Sequence, residues 1–118
     1  MADHNTLGKK GESLAEAFLI KQNFTILCKN YQYSHYEIDI IAKKEQFLHF
    51  IEVKTRKSSG FSFPEESIDK KKKKNLKMAA SNYIYKNHWL GPVQFDLVLV
   101  FLIEDDLEKI TFIEDVIN

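Results

Sequence analysis

With a single cysteine among 118 residues, the chain can form no internal disulfide, and Cys28 has no partner at metal-binding spacing. It reads as a small strand residue in a reducing compartment. The four histidines, His4, His35, His49 and His88, form no HxxxH or HExxH arrangement, which argues against a zinc site. No apolar run approaches the roughly 18 to 20 residues of a membrane span, and the opening MADHNTLGKKGE lacks the apolar segment of a secretory signal. A cytoplasmic protein is expected. The chain has no repeats, no linker-like stretch and no break in composition, so residues 1–118 read as one domain. Net charge is also missing: the formal value is zero, which argues against coating nucleic acid by bulk electrostatics.

What the chain does have is material for a core, with 44% apolar and 13% aromatic residues. Its charge is segregated. Residues 1–87 carry 16 Lys and Arg against 10 Asp and Glu, whereas residues 88–118 carry 1 against 7. A local positive surface can therefore exist on a neutral molecule.

Asn5 or Thr6 can cap a helix running to about Gln22, with Leu7, Gly11, Leu14, Phe18 and Leu19 at three-to-four spacing and Asn23 as a left-handed stop. Three runs rich in β-branched and aromatic residues follow, at Thr25 to Tyr33, Tyr36 to Lys43 and Gln46 to Thr55. Their connections are too short for a crossover, which predicts an antiparallel meander. KSSGFSFP reads as a loop leading into a helix from about Glu65 to Lys86, with Glu65 and Glu66 favouring its N-terminal end. VQFDLVLVFLI is then a buried fourth strand, returning parallel to the third through a right-handed crossover. EDDLEK reads as a turn, and Ile110 to Ile113 as a short edge strand. The fold class is α/β.

Period-two alternation places Leu48, Phe50, Glu52 and Lys54 on one face of the third strand. On the second strand Glu37, Asp39 and Ile41 share a face, and a hairpin near Lys43 to Gln46 brings Asp39 beside Glu52. Two close carboxylates repel, and a hard dication such as magnesium relieves that repulsion through oxygen ligands. A nearby ammonium can then orient water or steady charge on phosphate oxygens, so the cluster has the parts for phosphodiester hydrolysis. The plainer reading stays open: Lys54 pairs with Glu52 or Asp39 and only closes the end of a sheet.

Four ordered motifs carry a resemblance. Gly8 to Glu12 reads G-x-x-G-E, Glu37 to Ile41 reads EIDII, Phe50 to Arg56 reads FIEVKTR, and Gln94 to Val98 reads QFDLV. Together they resemble the uncharacterised bacterial YraN-like family, which is similar to the PD-(D/E)xK nucleases and close to archaeal Holliday junction resolvases. The resemblance implies a restriction-endonuclease-like fold and a Mg²⁺- or Mn²⁺-dependent endonuclease acting on DNA, with branched DNA as a candidate substrate. It implies Asp39, Glu52 and the Val53 carbonyl as metal donors, Lys54 as the water-positioning lysine, and Glu12 as a further donor from the first helix. Resolvases act as dimers, so a homodimer is a further expectation. Three positions depart from the family pattern: Tyr36 stands for a glycine, Gln32 for a common arginine, and Gln94 for the arginine before Phe95 and Asp96. Asp96, among apolar neighbours, reads as structural.

In DKKKKKNLK most lysines must face water, Lys70, Lys71, Lys73 and Lys74 among them. Lys72 differs, because it lies four residues from Ile68 and four from Leu76, in line with Ala79, Ala80 and Tyr83. Its stem can pack on the apolar stripe while its ammonium reaches the carboxylates or a phosphate. Lys71, Lys73 and Arg56 are candidate phosphate contacts. Two other functions compete with hydrolysis. One is a nucleic-acid-binding module without turnover, and the other is a protein-interaction adaptor using the acidic C-terminal part and exposed aromatics such as Trp89.

Overall fold

The computed structural model describes the backbone of residues 4–57, 68–104 and 106–117. Helix α1 (His4–Lys21) is followed by β1 (Thr25–Tyr33), β2 (Tyr36–Lys44) and β3 (Phe47–Lys57), paired as an antiparallel meander. Helix α2 (Lys70–Asn87) then leads to β4 (Val93–Ile103), parallel to β3, and β5 (Asp106–Ile113) pairs antiparallel to β4. The mixed sheet has the order β1-β2-β3-β4-β5. This is the α/β core expected from the sequence: a helix, a three-stranded meander, a helix, and a fourth strand parallel to the third.

Alternation along the strands feeds two cores, one on each face of the sheet. Leu48, Phe50, Leu97, Leu99 and Phe101 pack with Leu76, Ala79 and Ala80 of α2, while Ile51, Val98, Val100 and Leu102 pack with Ala15 and Leu19 of α1. Each large side chain buried this way contributes about 1.5–3 kcal/mol. The helices are thereby held on opposite faces. Alternation breaks in β2, where Ile38 and Ile41 both belong to the α2 core while Ile40 and Ala42 belong to the α1 core. Asp39 occupies the break, so the simple face assignment for Glu37, Asp39 and Ile41 does not hold there.

Several boundaries also differ from expectation. Helix α1 already runs through Asn5 and Thr6, so neither caps it, although Asn23 does end the first segment in the left-handed region at φ 72°. The expected start of α2 at Glu65 and Glu66 lies outside the described residues, and Ile68 and Asp69 are not helical. The helix starts at Lys70 because extended Asp69 caps it, accepting from the Lys72 N–H at 2.8 Å. The EDDLEK turn is shorter than expected: Glu104 turns at φ 49°, and β5 is already a strand at Asp106 because β4 offers it a ladder almost to its end. Trp89 is half-buried against the α2 core, with its indole N–H donating to the Pro92 carbonyl at 3.2 Å.

Asp96 has the structural role its neighbours suggest. It is fully buried, accepts from Gln94 Nε2 at 2.8 Å and the Asp115 N–H at 2.9 Å, and meets His49 Nδ1 at 2.6 Å. Gln94, where the related pattern has arginine, thus supplies an amide donor in place of a charge.

Candidate functional site

The sheet forks between β2 and β3. Their pairing runs from Lys44↔Phe47 to Ile40↔Ile51 and ends there, yet β2 stays paired with β1 up to Tyr36, and β3 stays paired with β4 out to Lys57. Asp39 and Glu52 are the first residues past the last pair. Freed from the ladder, the Val53 N–H needs an acceptor, and Asp39 Oδ2 provides it at 2.8 Å. Val53, expected to offer its carbonyl, therefore meets Asp39 through its amide.

Glu52 stands beside Asp39 and is only 6% exposed. Burial first, then the hydrogen bond and charge of Glu52, push the Asp39 carboxyl up to about 9, against the Val53 N–H that favours its ionised form. At neutral pH Asp39 is therefore held in its protonated form. Lys72 approaches from α2, its Nζ 3.1 Å from Glu52 Oε2, which is the reach expected from its place on the apolar stripe. Burial lowers the Lys72 pKa, but Glu52, Asp39 and Glu37 outweigh that and hold the ammonium above its ordinary value. The contact is one of charge rather than of a well-directed hydrogen bond, and buried Glu52 Oε2 is left unsatisfied.

The opposite face of the fork receives Glu12 from α1. A Cβ built on Gly11 would lie 1.7 Å from Thr55 Oγ1 of β3, so only glycine lets the helix come this close. That approach brings the next residue, Glu12, into the field of the fork. Burial, then Glu37 and Glu52, raise the Glu12 pKa, with Lys29 opposing. Gly8 meets nothing within 4 Å, so packing does not require it.

Asn30 ties this side together. It interrupts β1 in the left-handed region at φ 54°, and its amide lies 2.8 Å from Glu12 Oε1 and 3.0 Å from Glu37 Oε1; with the nitrogen turned towards them it donates to both. Asn30 was not among the expected site residues, whereas Glu37 was expected to share the face of Asp39, with a strand cation and the metal as its two candidate partners. The available signal for Asn30 was an asparagine inside a strand-forming run, where that residue is unfavourable. A cleft of about 270 Å³ opens here, lined by Glu12, Asn30, Lys29 and Glu16.

The structure thus brings Glu12, Asp39, Glu52 and Lys72 into one electrostatic neighbourhood, with Glu37 added. Lys54 lies on the same strand two residues beyond Glu52, half-buried and opposite Leu99. Arg56 is exposed further out, donating to the Thr55 carbonyl at 3.0 Å. Lys71 points to solvent, and Lys73 is half-buried on another face of α2. Among the described residues, no three His, Cys, Asp or Glu side chains already stand in an arrangement that could hold an ion. Instead each carboxylate is engaged by the protein: Asp39 by Val53, Glu52 by Lys72, Glu12 by Asn30.

A model of the uncharacterised protein family UPF0102 matches residues 11–100, a span that contains the whole fork. The chain is 42% identical over 98 residues to a UPF0102 protein of Parabacteroides distasonis, covering 83% of this chain and 81% of that protein. It is 41% identical over 116 residues to one of Chloroherpeton thalassium, covering 92% and 90%. With one of Flavobacterium johnsoniae it shares 46% identity over 104 residues, 85% of each chain.

Proposed function

The chain belongs to the uncharacterised protein family UPF0102, and within the segment that family shares we propose that the acidic fork is a divalent-metal site for hydrolysing DNA phosphodiester bonds. The observation that carries this reading is the Asp39–Glu52 pair: a half-buried aspartate beside a buried glutamate at the point where the sheet opens. A sheet has no structural need for that arrangement, and burying like charges together costs stability. Buried Glu52 Oε2 is met by the charge of Lys72 at 3.1 Å without a well-directed hydrogen bond, which leaves it lone-pair capacity for a dication.

All the donors are oxygens, which suits magnesium or manganese rather than a softer metal. Asp39 and Glu52 would hold the ion, with Glu12 and the Val53 carbonyl as further donors. When bound, such an ion supplies an acidified water and neutralises charge at the phosphate. In this reading Lys54 orients the attacking water and steadies charge on the phosphate oxygens. Lys72 balances Glu52, while Arg56, Lys71 and Lys73 grip flanking phosphates. Such a protein would work in the cytoplasm on DNA, with branched DNA as its candidate substrate and a homodimer as its candidate assembly.

A second reading is favoured by one contact. Lys72 at 3.1 Å from Glu52 already supplies a protein cation to the fork, as a nucleic-acid-binding module without turnover would require.

A cleavage panel separates the two. Branched, single-stranded and duplex DNA are incubated with the protein and Mg²⁺ or Mn²⁺. Hydrolysis is expected, with loss on chelation and a fall of about 100-fold or more in Lys54→Ala, whose fold is checked by circular dichroism. Binding without cutting under every metal condition would leave the module reading. Cutting that survives Lys54→Ala and Asp39→Asn would place the chemistry elsewhere.

A further inference from the structure

A second groove, roomier than the cleft beside Glu12, lies away from the fork. It runs along another flank of α2 and encloses about 680 Å³, more room than an ion or a few waters need. Helical spacing explains its lining. Lys72, Leu76, Ala79, Ala80 and Tyr83 form the stripe that faces the sheet. Lys70, Lys73, Lys74 and Lys77, followed by Ser81 and Tyr85, form a second stripe that faces the groove. Tyr33, at the end of β1, closes the other side.

Three features of this surface are not explained by folding. Tyr85 is 80% exposed and Tyr33 38% exposed, so both rings keep a face open to solvent. Helix α2 carries seven lysines and no acidic residue. Five of those lysines begin the helix, where the macrodipole opposes positive charge. The groove therefore concentrates positive potential around aromatic faces, in a molecule whose net charge is zero.

We infer that this groove binds single-stranded nucleic acid, with bases stacked on Tyr85 and Tyr33 and phosphates on Lys70, Lys73, Lys74 and Lys77. Stacking requires splayed bases, which a closed duplex does not offer. Lys73 adjoins Lys72, the residue that reaches Glu52, so a strand in the groove runs past the helix end that contributes to the fork. The inference rests on the hydrolytic reading for the fate of the strand, not for its binding.

The test is fluorescence anisotropy with a labelled oligo-dT and a duplex of equal length, in EDTA so that no cutting occurs. Oligo-dT is expected to bind more tightly than duplex. Tyr85→Ala should weaken oligo-dT binding about tenfold and leave duplex binding unchanged, and the exposure of Tyr85 makes loss of fold a minor concern. Lys77→Ala should flatten the log–log salt dependence for oligo-dT by about 0.7. Equal affinity for duplex, or no effect of Tyr85→Ala, would overturn the inference. So would self-association of the chain that excludes oligo-dT from the groove. Because the readout is binding without metal, failure here leaves the cleavage panel untouched, and a failed cleavage panel leaves this result standing.

Discussion

Asp39 has two opposing demands placed on it. The Val53 N–H wants an ionised acceptor, while burial and Glu52 favour the neutral acid, and the second influence prevails with a pKa pushed up to about 9. Unfolded, the same group titrates near 3.8. The folded chain thus holds its proton where the unfolded chain has lost it, so the contribution of Asp39 is fully present below about pH 4. It falls as pH rises towards 9 and levels off beyond. Asp39→Asn keeps an acceptor for Val53 and removes this dependence. In urea denaturation without metal, the variant should match the wild type at pH 4 and exceed it by about 1–3 kcal/mol at pH 9. A constant difference across that range would show that Asp39 does not hold its proton as described.

At the scale of elements, the site depends on how closely α1 lies on β3. Gly11 against Thr55 sets that distance, and with it the position of Glu12. Gly11→Ala should lower stability by about 1–3 kcal/mol, because the clash is with a packed strand residue, and Thr55→Ala in the same chain should recover part of the loss. Thermal denaturation of the two single variants and the double variant measures this. Additive losses would mean that the helix and strand do not touch as described. The elements themselves were legible because apolar and β-branched runs mark β1 to β4, and the stripe from Ile68 through Tyr83 marks the buried face of α2. The start of α2 was misjudged because Glu65 and Glu66 suit a helix N-terminus in general, whereas the cap is the side chain of Asp69. Alternation also identified Glu52 and Lys54, and helical spacing identified Lys72. Glu12 rested on resemblance alone, since a first-turn glutamate has an ordinary electrostatic reason to be there. Asn30 was out of reach, because its role follows from a left-handed backbone turn within β1 that no spacing rule announces.

For the whole molecule, the fold arranges charge that the composition conceals. A parallel β3–β4 pair with α2 as its connection sets the lysine-rich helix over the fork, so that one stripe of α2 reaches Glu52 and the other faces the tyrosine groove. Buried His49 and Asp96, with half-buried Gln94, lie away from this on β3 and β4 and tie the two strands together. The central claim is that the buried carboxylates exist to share a dication, and counting bound Mn²⁺ by electron paramagnetic resonance tests it most directly. The account predicts saturable uptake at the fork that is stronger at pH 8 than at pH 6, because the ion must displace the proton that Asp39 holds and does so more easily as pH nears 9, and that is lost in Glu52→Gln. Uptake that never saturates, or that Glu52→Gln leaves unchanged, would contradict it.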